Sequence, residues 1–423
     1  MRLTADFRLP LPARFARDFT YAAMHEGLRR KAGYALMCLV VFEASLFGSG
    51  QMLRLGPVTF KMILFVLAVG YIFTSLADGD SLSYGSVGLI SSLLVVLSAA
   101  TLLGLVGHGR EEFIYEDVTP LLYVLILPFF ELTIRSREDL ESAIRIIIFS
   151  SMVMSFAGMI MLAALGTGIL SPIDLYTAFL RIRGGDFMYD GLTWRIFYKG
   201  SLYIGMAVLI LAFRKGLWAR IGLFVTFVSL VLTVTRGFIL ALLFIGLIYA
   251  VVRRGRPLAK LAWGMLILAI SSVAVYVTLG LAGDKTESDT VRRVTAHQVL
   301  ERTDFVTAII GHGFGVGVPE RPEHMEIAYM EIFYKQGMLG LGWYGLLAVV
   351  AAFRFRRAFA AGNSIAAYPL LLTVVFVFVE SLTNPFIDNP IGLSAILISL
   401  AGLRVLARNT SAQESAGGIA ANV

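Results

Sequence analysis

Apolar runs long enough to cross a membrane recur along almost the whole chain, and no other feature restricts the fold as strongly. A membrane helix needs roughly 20 mainly apolar residues, and about twelve stretches meet that requirement. They are 33–50, 57–77, 85–107, 117–134, 144–166, 196–213, 217–235, 237–252, 259–282, 330–353, 366–383 and 388–405. Of 423 residues, 57% are hydrophobic and 15% charged, which leaves too little polar surface to cover a soluble globule of this size. The expected fold is therefore all-α, a polytopic integral membrane domain over residues 33–405. Residues 1–32 form a basic lead-in. Its "ARFARDFTYAAMHEGLRRK" lacks the compact apolar core and cleavage site of a signal peptide, and reads as a partly amphipathic segment against the inner leaflet. The tail 406–423 is small and polar and is expected to be disordered.

Basic residues gather after every second span: Arg135, Arg137 and Arg145; Arg214, Lys215 and Arg220; Arg253, Arg254, Arg256 and Lys260; Arg354, Arg356 and Arg357; Arg404 and Arg408. The positive-inside rule then puts both termini in the cytoplasm, and the net charge of +7 reports topology rather than a nucleic-acid partner. Asp78 and Asp80 dissent, since they fall in an inner loop, but acidic residues weigh little in the rule. Cys38, the single cysteine, excludes an internal disulfide and a cysteine metal cluster.

Three features land together on the outer face: the loop 167–195 with Arg181, Arg183 and Arg195, the tight junction "TVTRGFIL" with Arg236 and Gly237, and the long loop 283–329. The long loop mixes Arg292, Arg293, Arg302 and Arg321 with many carboxylates, as a folded cap would. At its end "PERPEHMEIAYMEIFYKQGMLGLGWY" runs from a charged start into an apolar span. A helix begun after Pro322 would put His324, Ala328, Glu331 and Lys335 on one stripe, with Glu331 and Lys335 a turn apart and able to pair. Such a stripe should face protein or a water-filled cavity, because an unpaired charge in hydrocarbon is costly. The competing reading is a wet helix start that suits carboxylates. Arg236 alone could snorkel to headgroups. In the company of other outward arginines and a histidine, it suits an anionic, phosphate-bearing lipid, because a guanidinium grips phosphate oxygens at two points.

Other patterns carry less. "GHGFGVG" lacks dinucleotide spacing and the P-loop lysine, and reads as a flexible approach to Pro319; "DGD" at 78–80 reads as a turn. "HME" at 324–326 lacks the paired cysteines of a zinc deaminase, and His297, His312 and His324 show no supporting pattern for a metal. Glu43, Lys61, Glu131 and Glu380 are intramembrane charges, either functional or paired between helices. No clean internal repeat marks a transporter of matched halves.

Three segments, "TVTRGFILALL", "IIGHGFGVG" and "HMEIAYMEIFYKQGMLGLGWYG", resemble the O-antigen ligase and polymerase superfamily of bacterial envelope glycosyltransferases, over residues 217–353. The resemblance implies a helical inner-membrane enzyme that transfers a glycan from undecaprenyl diphosphate on the periplasmic side, without nucleotide sugar, metal or cofactor. It implies that Arg236 is the arginine of the family's arginine-glycine pair and His324 the histidine ending the long loop, with Arg292 or Arg293 matching an arginine early in that loop. Ligases of this superfamily commonly carry a small polar residue beside the histidine, whereas Met325 and Glu326 follow it here. That departure, and "RIRGGD" with "TWRIFYKG", point to a polymerase of O-antigen or exopolysaccharide; a ligase and a flippase or transporter are the alternatives. On this reading the arginines, with Gly237 allowing close approach, hold the donor, His324 takes a proton from the attacking hydroxyl, and Glu326 or Glu331 orients it or substitutes as base. Membrane lipids, a chain-length regulator and other envelope polysaccharide assembly proteins are the partners so implied.

Overall fold

The computed structural model describes residues 13–48, 58–107, 109–182, 185–189, 194–252 and 286–420, with scattered positions at 54–55 and between 264 and 276. The ninth expected span, 259–282, and Arg183 lie outside the described residues, apart from those scattered positions in the span.

The chain is overwhelmingly helical. In order come α1 (Ala13–Phe42), continued by a π turn at Glu43–Phe47, a short β1–β2 pair (Arg54–Leu55 with Val58–Thr59), α2 (Phe60–Ala77), α3 (Tyr84–Val106) and α4 (Glu111–Leu121). A 3-10 turn at Leu122–Ile126 leads to α5 (Leu127–Thr133), then α6 (Arg137–Gly166), α7 (Pro172–Ile182), and a hairpin of β3 (Gly185–Tyr189) and β4 (Trp194–Tyr198). The second half holds α8 (Ser201–Ala212), α9 (Leu217–Leu232), α10 (Arg236–Val252), α11 (Thr286–Arg302), α12 (Phe305–Ile310), α13 (Ala328–Ala360), α14 (Ser364–Glu380) and α15 (Pro390–Ala420).

Among the described residues 6 helices are long and apolar enough to cross a membrane: Phe60–Ala77, Tyr84–Val106, Glu111–Thr133, Arg137–Gly166, Ala328–Ala360 and Pro390–Arg408. Four more apolar helices are shorter, namely Ser201–Ala212, Leu217–Leu232, Arg236–Ala250 and Ser364–Glu380. The count of full-length spans is thus lower than sequence periodicity suggests, for local reasons. The expected span 196–213 gives its first residues to β4, whose ladder with β3 pairs Phe187 with Ile196 and Gly185 with Tyr198. The last helix also runs on through the polar tail to Ala420, where disorder was expected. Its apolar part is the hub: Leu393, Ile396, Leu397, Leu400 and Leu403 are fully buried, so it is covered on all sides by other helices.

The two ends of the helix layer differ chemically. At one, Asp80 pairs with Arg29 at 3.1 Å and with Arg135 at 2.7 Å, so the charge of this acidic turn is neutralised directly. Deeper toward this end Glu131 sits between Arg354 at 2.7 Å and Arg404 at 2.6 Å, so this intramembrane charge is a structural tie among three helices. The opposite end carries the long loop.

The glycine-rich run "GHGFGVG" is an ordered latch rather than a flexible approach. His312 N–H donates to Tyr334 O at 2.8 Å, Gly313 N–H to Lys335 O at 3.0 Å and Phe314 N–H to Ala100 O at 2.9 Å. The carbonyls of Tyr334 and Lys335 are free to accept because α13 breaks at Gly337, which holds φ +64°. A β-carbon at Gly337 would meet Ile309 O at 2.3 Å, so the break and the latch require each other.

Candidate active site

The segment before α13 is not helical. His324 lies ahead of the helix start at Ala328, so the expected continuous stripe is corrected: the loop folds back and reaches the helix by a hydrogen bond. His324 Nδ1 lies 3.1 Å from Glu331 Oε1, and the other oxygen of Glu331 accepts the Met325 N–H at 2.9 Å. One carboxylate therefore fixes both the imidazole and the backbone beside it. Met325 is buried with Val299, Val318 and Tyr334, a peg that seats the end of the long loop against α11 and α13.

Glu331 and Lys335 do pair a turn apart, at 2.6 Å. Lys335 also contacts Asp117 Oδ1 of α4 at 2.7 Å and donates to Glu323 O at 2.9 Å, which occupies its three N–H donors. Asp117 Oδ2 in turn accepts the Gly315 N–H at 2.8 Å, tying the glycine latch into the same network. Glu331, Lys335 and Asp117 are buried, with side-chain exposures of 8%, 3% and 3%, whereas His324 retains 51%. Buried charges thus hold a half-exposed imidazole.

With Nδ1 directed at a carboxylate, the network assigns the proton of neutral His324 to Nδ1 and the lone pair to Nε2. The hydrogen bond from Glu331 raises the His324 pKa above its ordinary 6.5; partial burial opposes this, and the charge of Glu331 adds to it. The imidazole lines a cavity of about 260 Å³ with Glu116, Asp117, Glu331, Lys335 and Asp388.

Asp117, His324 and Glu331 offer donor atoms within 4.8 Å of one another, a spacing a metal ion could use. The Lys335 ammonium already contacts both carboxylates of that set, so this donor set does not fit a cation. The other histidines are engaged separately. His312 stacks on Tyr334 with its ring nitrogens 3.1 Å from the carbonyls of Tyr334 and Arg302, and His297 lies 3.2 Å from Glu301 on an exposed face.

Of the two carboxylates expected to orient His324, the structure brings Glu331 to it. Glu326 is held by Arg292 at 2.8 Å and Arg321 at 2.7 Å. Within the arginine doublet, Arg292 pairs with Glu326 while Arg293 is exposed beside Thr290. Arg181 is exposed at the end of α7, and Arg195 lies in β4 opposite Met188. Hairpin and α7 share a small apolar core of their own, with Leu165, Leu175, Phe187 and Ile196.

Arg236 opens α10, and its Nε is buried without a hydrogen-bond partner among the described residues. Two residues earlier Val234 holds φ +53°, a conformation that costs a β-branched residue about 1–3 kcal/mol. Gly237 packs so closely on α14 that a β-carbon would lie 2.4 Å from Thr383 Oγ1 and 2.7 Å from Glu380 Oε1. From there the segment 383–389 runs to the His324 cavity, whose wall includes Pro385, Asp388 and Asn389. The start of α10 and His324 are therefore served by one connecting segment at one end of the molecule.

Fold and site together define a class: a polytopic helical membrane protein with a polar cavity at one end, where a histidine is held by a buried carboxylate. No family model matches the chain. Over 360 residues, 84% of this chain and 90% of the relative, it is 25% identical to the O-antigen polymerase of Shigella flexneri. This likeness extends well beyond the three segments and supports the same superfamily of O-antigen ligases and polymerases.

Proposed function

We propose that the protein polymerises lipid-linked oligosaccharide repeats, of O-antigen or exopolysaccharide type, carried on undecaprenyl diphosphate at the periplasmic face of the bacterial inner membrane. The observation that carries this reading is the anchored imidazole: His324 Nδ1 bound to buried Glu331, with Nε2 on the cavity side, 3.7 Å from the Glu116 carboxylate, in a chain similar over most of its length to an O-antigen polymerase.

Nε2 of His324 accepts the proton of the acceptor sugar hydroxyl, whose oxygen bonds to the anomeric carbon of the donor glycan. The bond from that carbon to the diphosphate oxygen breaks, and the lipid diphosphate leaves with its electron pair. Arg236 is assigned to the leaving diphosphate, where a guanidinium in a low-dielectric site stabilises the developing charge. Glu331 holds the imidazole in the productive tautomer and balances the imidazolium, while the Lys335 ammonium, 2.6 Å away, balances the Glu331 charge. The termini are assigned to the cytoplasm, and a chain-length regulator is the expected protein partner.

The test is incubation of pure protein with defined undecaprenyl-diphosphate repeats, with products read by mass. Lengthened lipid-linked glycan is expected from wild type, and a rate lower by about 10²–10⁴-fold from His324→Ala. A requirement for a lipid A-core acceptor would replace polymerase by ligase. Substrate movement without a new glycosidic bond would replace enzyme by flippase.

A further inference from the structure

A second cavity, of about 820 Å³, adjoins the His324 cavity and shares Pro120, Pro385 and Asn389 with it. Two cations line it, Lys61 at the start of α2 and Lys199 between β4 and α8. Among the described residues neither ammonium has a hydrogen bond or an ion pair within 4 Å. The charged neighbour of Lys61 is Glu43, which acts on it electrostatically. Lys199 is followed by Gly200, the N-cap of α8, which offers no side-chain cap, so the first N–H groups of that helix add positive character near the lysine.

The other wall is apolar. Met62, Phe65 and Val66 of α2 line it, and Met62 and Val66 are exposed on the outside of the bundle. The cavity thus has a cationic polar end and a flank that opens along a membrane-length helix toward lipid. Asn384 lines the cavity and donates to Glu380 Oε1 at 2.6 Å, and Gly237 packs on that same Glu380. The start of α10 is therefore directly behind the cavity wall.

A ligand that satisfies both ends carries a strongly anionic head on a long hydrocarbon chain. Two separate ammonium groups suit two linked phosphates better than one. We infer that Lys61 and Lys199 hold the diphosphate of the lipid-linked donor, with its hydrocarbon tail along α2 and its first sugar passing Asn389 into the His324 cavity. This rests on the polymerase reading and adds to it a donor site that the outward arginines do not include.

The experiment is native mass spectrometry of the full-length protein in detergent, with undecaprenyl diphosphate and phosphatidylglycerol as lipid probes and inorganic pyrophosphate as competitor. Undecaprenyl diphosphate is expected to bind wild type in preference to phosphatidylglycerol and to resist pyrophosphate. Lys61→Met and Lys199→Met should each weaken it about tenfold or more, the loss expected for one charge-assisted contact. Lys199→Arg should retain binding. Size-exclusion profiles control for folding, and Lys199→Met is decisive should loss of Lys61 unsettle Glu43. Wild-type affinity in both methionine variants overturns the inference, as does equal binding of phosphatidylglycerol or full displacement by pyrophosphate. Repeats that are lengthened by wild type while both variants still bind the lipid diphosphate sink this inference alone. A wild type that binds undecaprenyl diphosphate through the lysines yet forms no glycosidic bond sinks the polymerase reading alone.

Discussion

Replacing Lys335 by methionine keeps the unbranched stem, one atom shorter, and removes the charge that lies 2.6 Å from Glu331 and 2.7 Å from Asp117. Lys335 and Asp117 are both 3% exposed, so water can neither screen the pair nor replace the lost cation. Breaking a buried pair from one side costs about 3–5 kcal/mol, because the remaining carboxylates are left uncompensated. Two of them face the gap here, which puts Lys335→Met at the upper part of that range. Thermal unfolding of the detergent-purified protein, followed by intrinsic fluorescence, should show a fall of several degrees or more. Adding Asp117→Asn removes one of the stranded charges, so the double variant should recover about 0.5–3 kcal/mol relative to additivity. The activity of whatever protein remains folded should fall as well, since the Lys335 charge no longer opposes protonation of His324 and less of the imidazole is neutral. A Lys335→Met protein that melts with wild type, or a double variant that is strictly additive, would refute the argument that this network is one electrostatic unit.

Glu331→Gln should move the pH dependence of polymerisation. His324 must be neutral to act as base, and its pKa is raised by the Glu331 hydrogen bond, so the wild-type rate should rise through a limb above pH 6.5. In the variant that limb should move toward lower pH, as read from initial rates in overlapping buffers. The stability that Glu331 derives from charged His324 has the opposite sense: it is complete below the unfolded pKa near 6.5 and fades as pH climbs through the raised folded value. Gly337→Ala should cost about 1–3 kcal/mol through its φ of +64° and open the glycine latch to limited proteolysis near residues 311–315. Arg236→Ala should abolish polymer while membrane insertion and protein level, measured by immunoblot of membranes, stay at wild type. Glu131→Gln should lower the melting temperature without shifting the pH limb, because its partners Arg354 and Arg404 lie at the other end of the helices.

The helical membrane character and the pairing of Glu331 with Lys335 were both legible in the sequence. Each is encoded locally, as apolar run length or as an i,i+4 spacing. Asp117 was not found, since its partner Lys335 comes from a distant helix and nothing in local spacing couples them. One signal was available: Asp117 is an ionisable residue at the start of the apolar run 117–134, and an intramembrane charge warrants a search for its partner. The approach of His324 to Glu331 is ambiguous in sequence for a related reason. A helix extrapolated back from Glu331 brings the two residues together, and so does a loop that folds over the helix start, and only the packed Met325 peg selects the loop. The same ambiguity hid the role of "GHGFGVG", whose glycines serve backbone contacts that composition alone does not specify.

If His324 is the base proposed above, the lysine between the carboxylates follows from what the imidazole would have to do. Glu331 can bind the Nδ1–H of His324 strongly only if it stays ionised, and burial among apolar helices disfavours that state. A mobile cation would compensate the charge but would also compete for the imidazole nitrogen. Lys335 compensates without competing, because it is tethered one turn along the same helix and its three donors are spent on Glu331, Asp117 and the Glu323 carbonyl. Asp117 is in turn secured by the Gly315 N–H, so the charge balance that sets His324 depends on the latch at Gly337. An activity loss in Gly337→Ala accompanied by a shifted pH limb would therefore trace the chain from backbone break to base strength. An activity loss with an unmoved limb would confine the latch to stability.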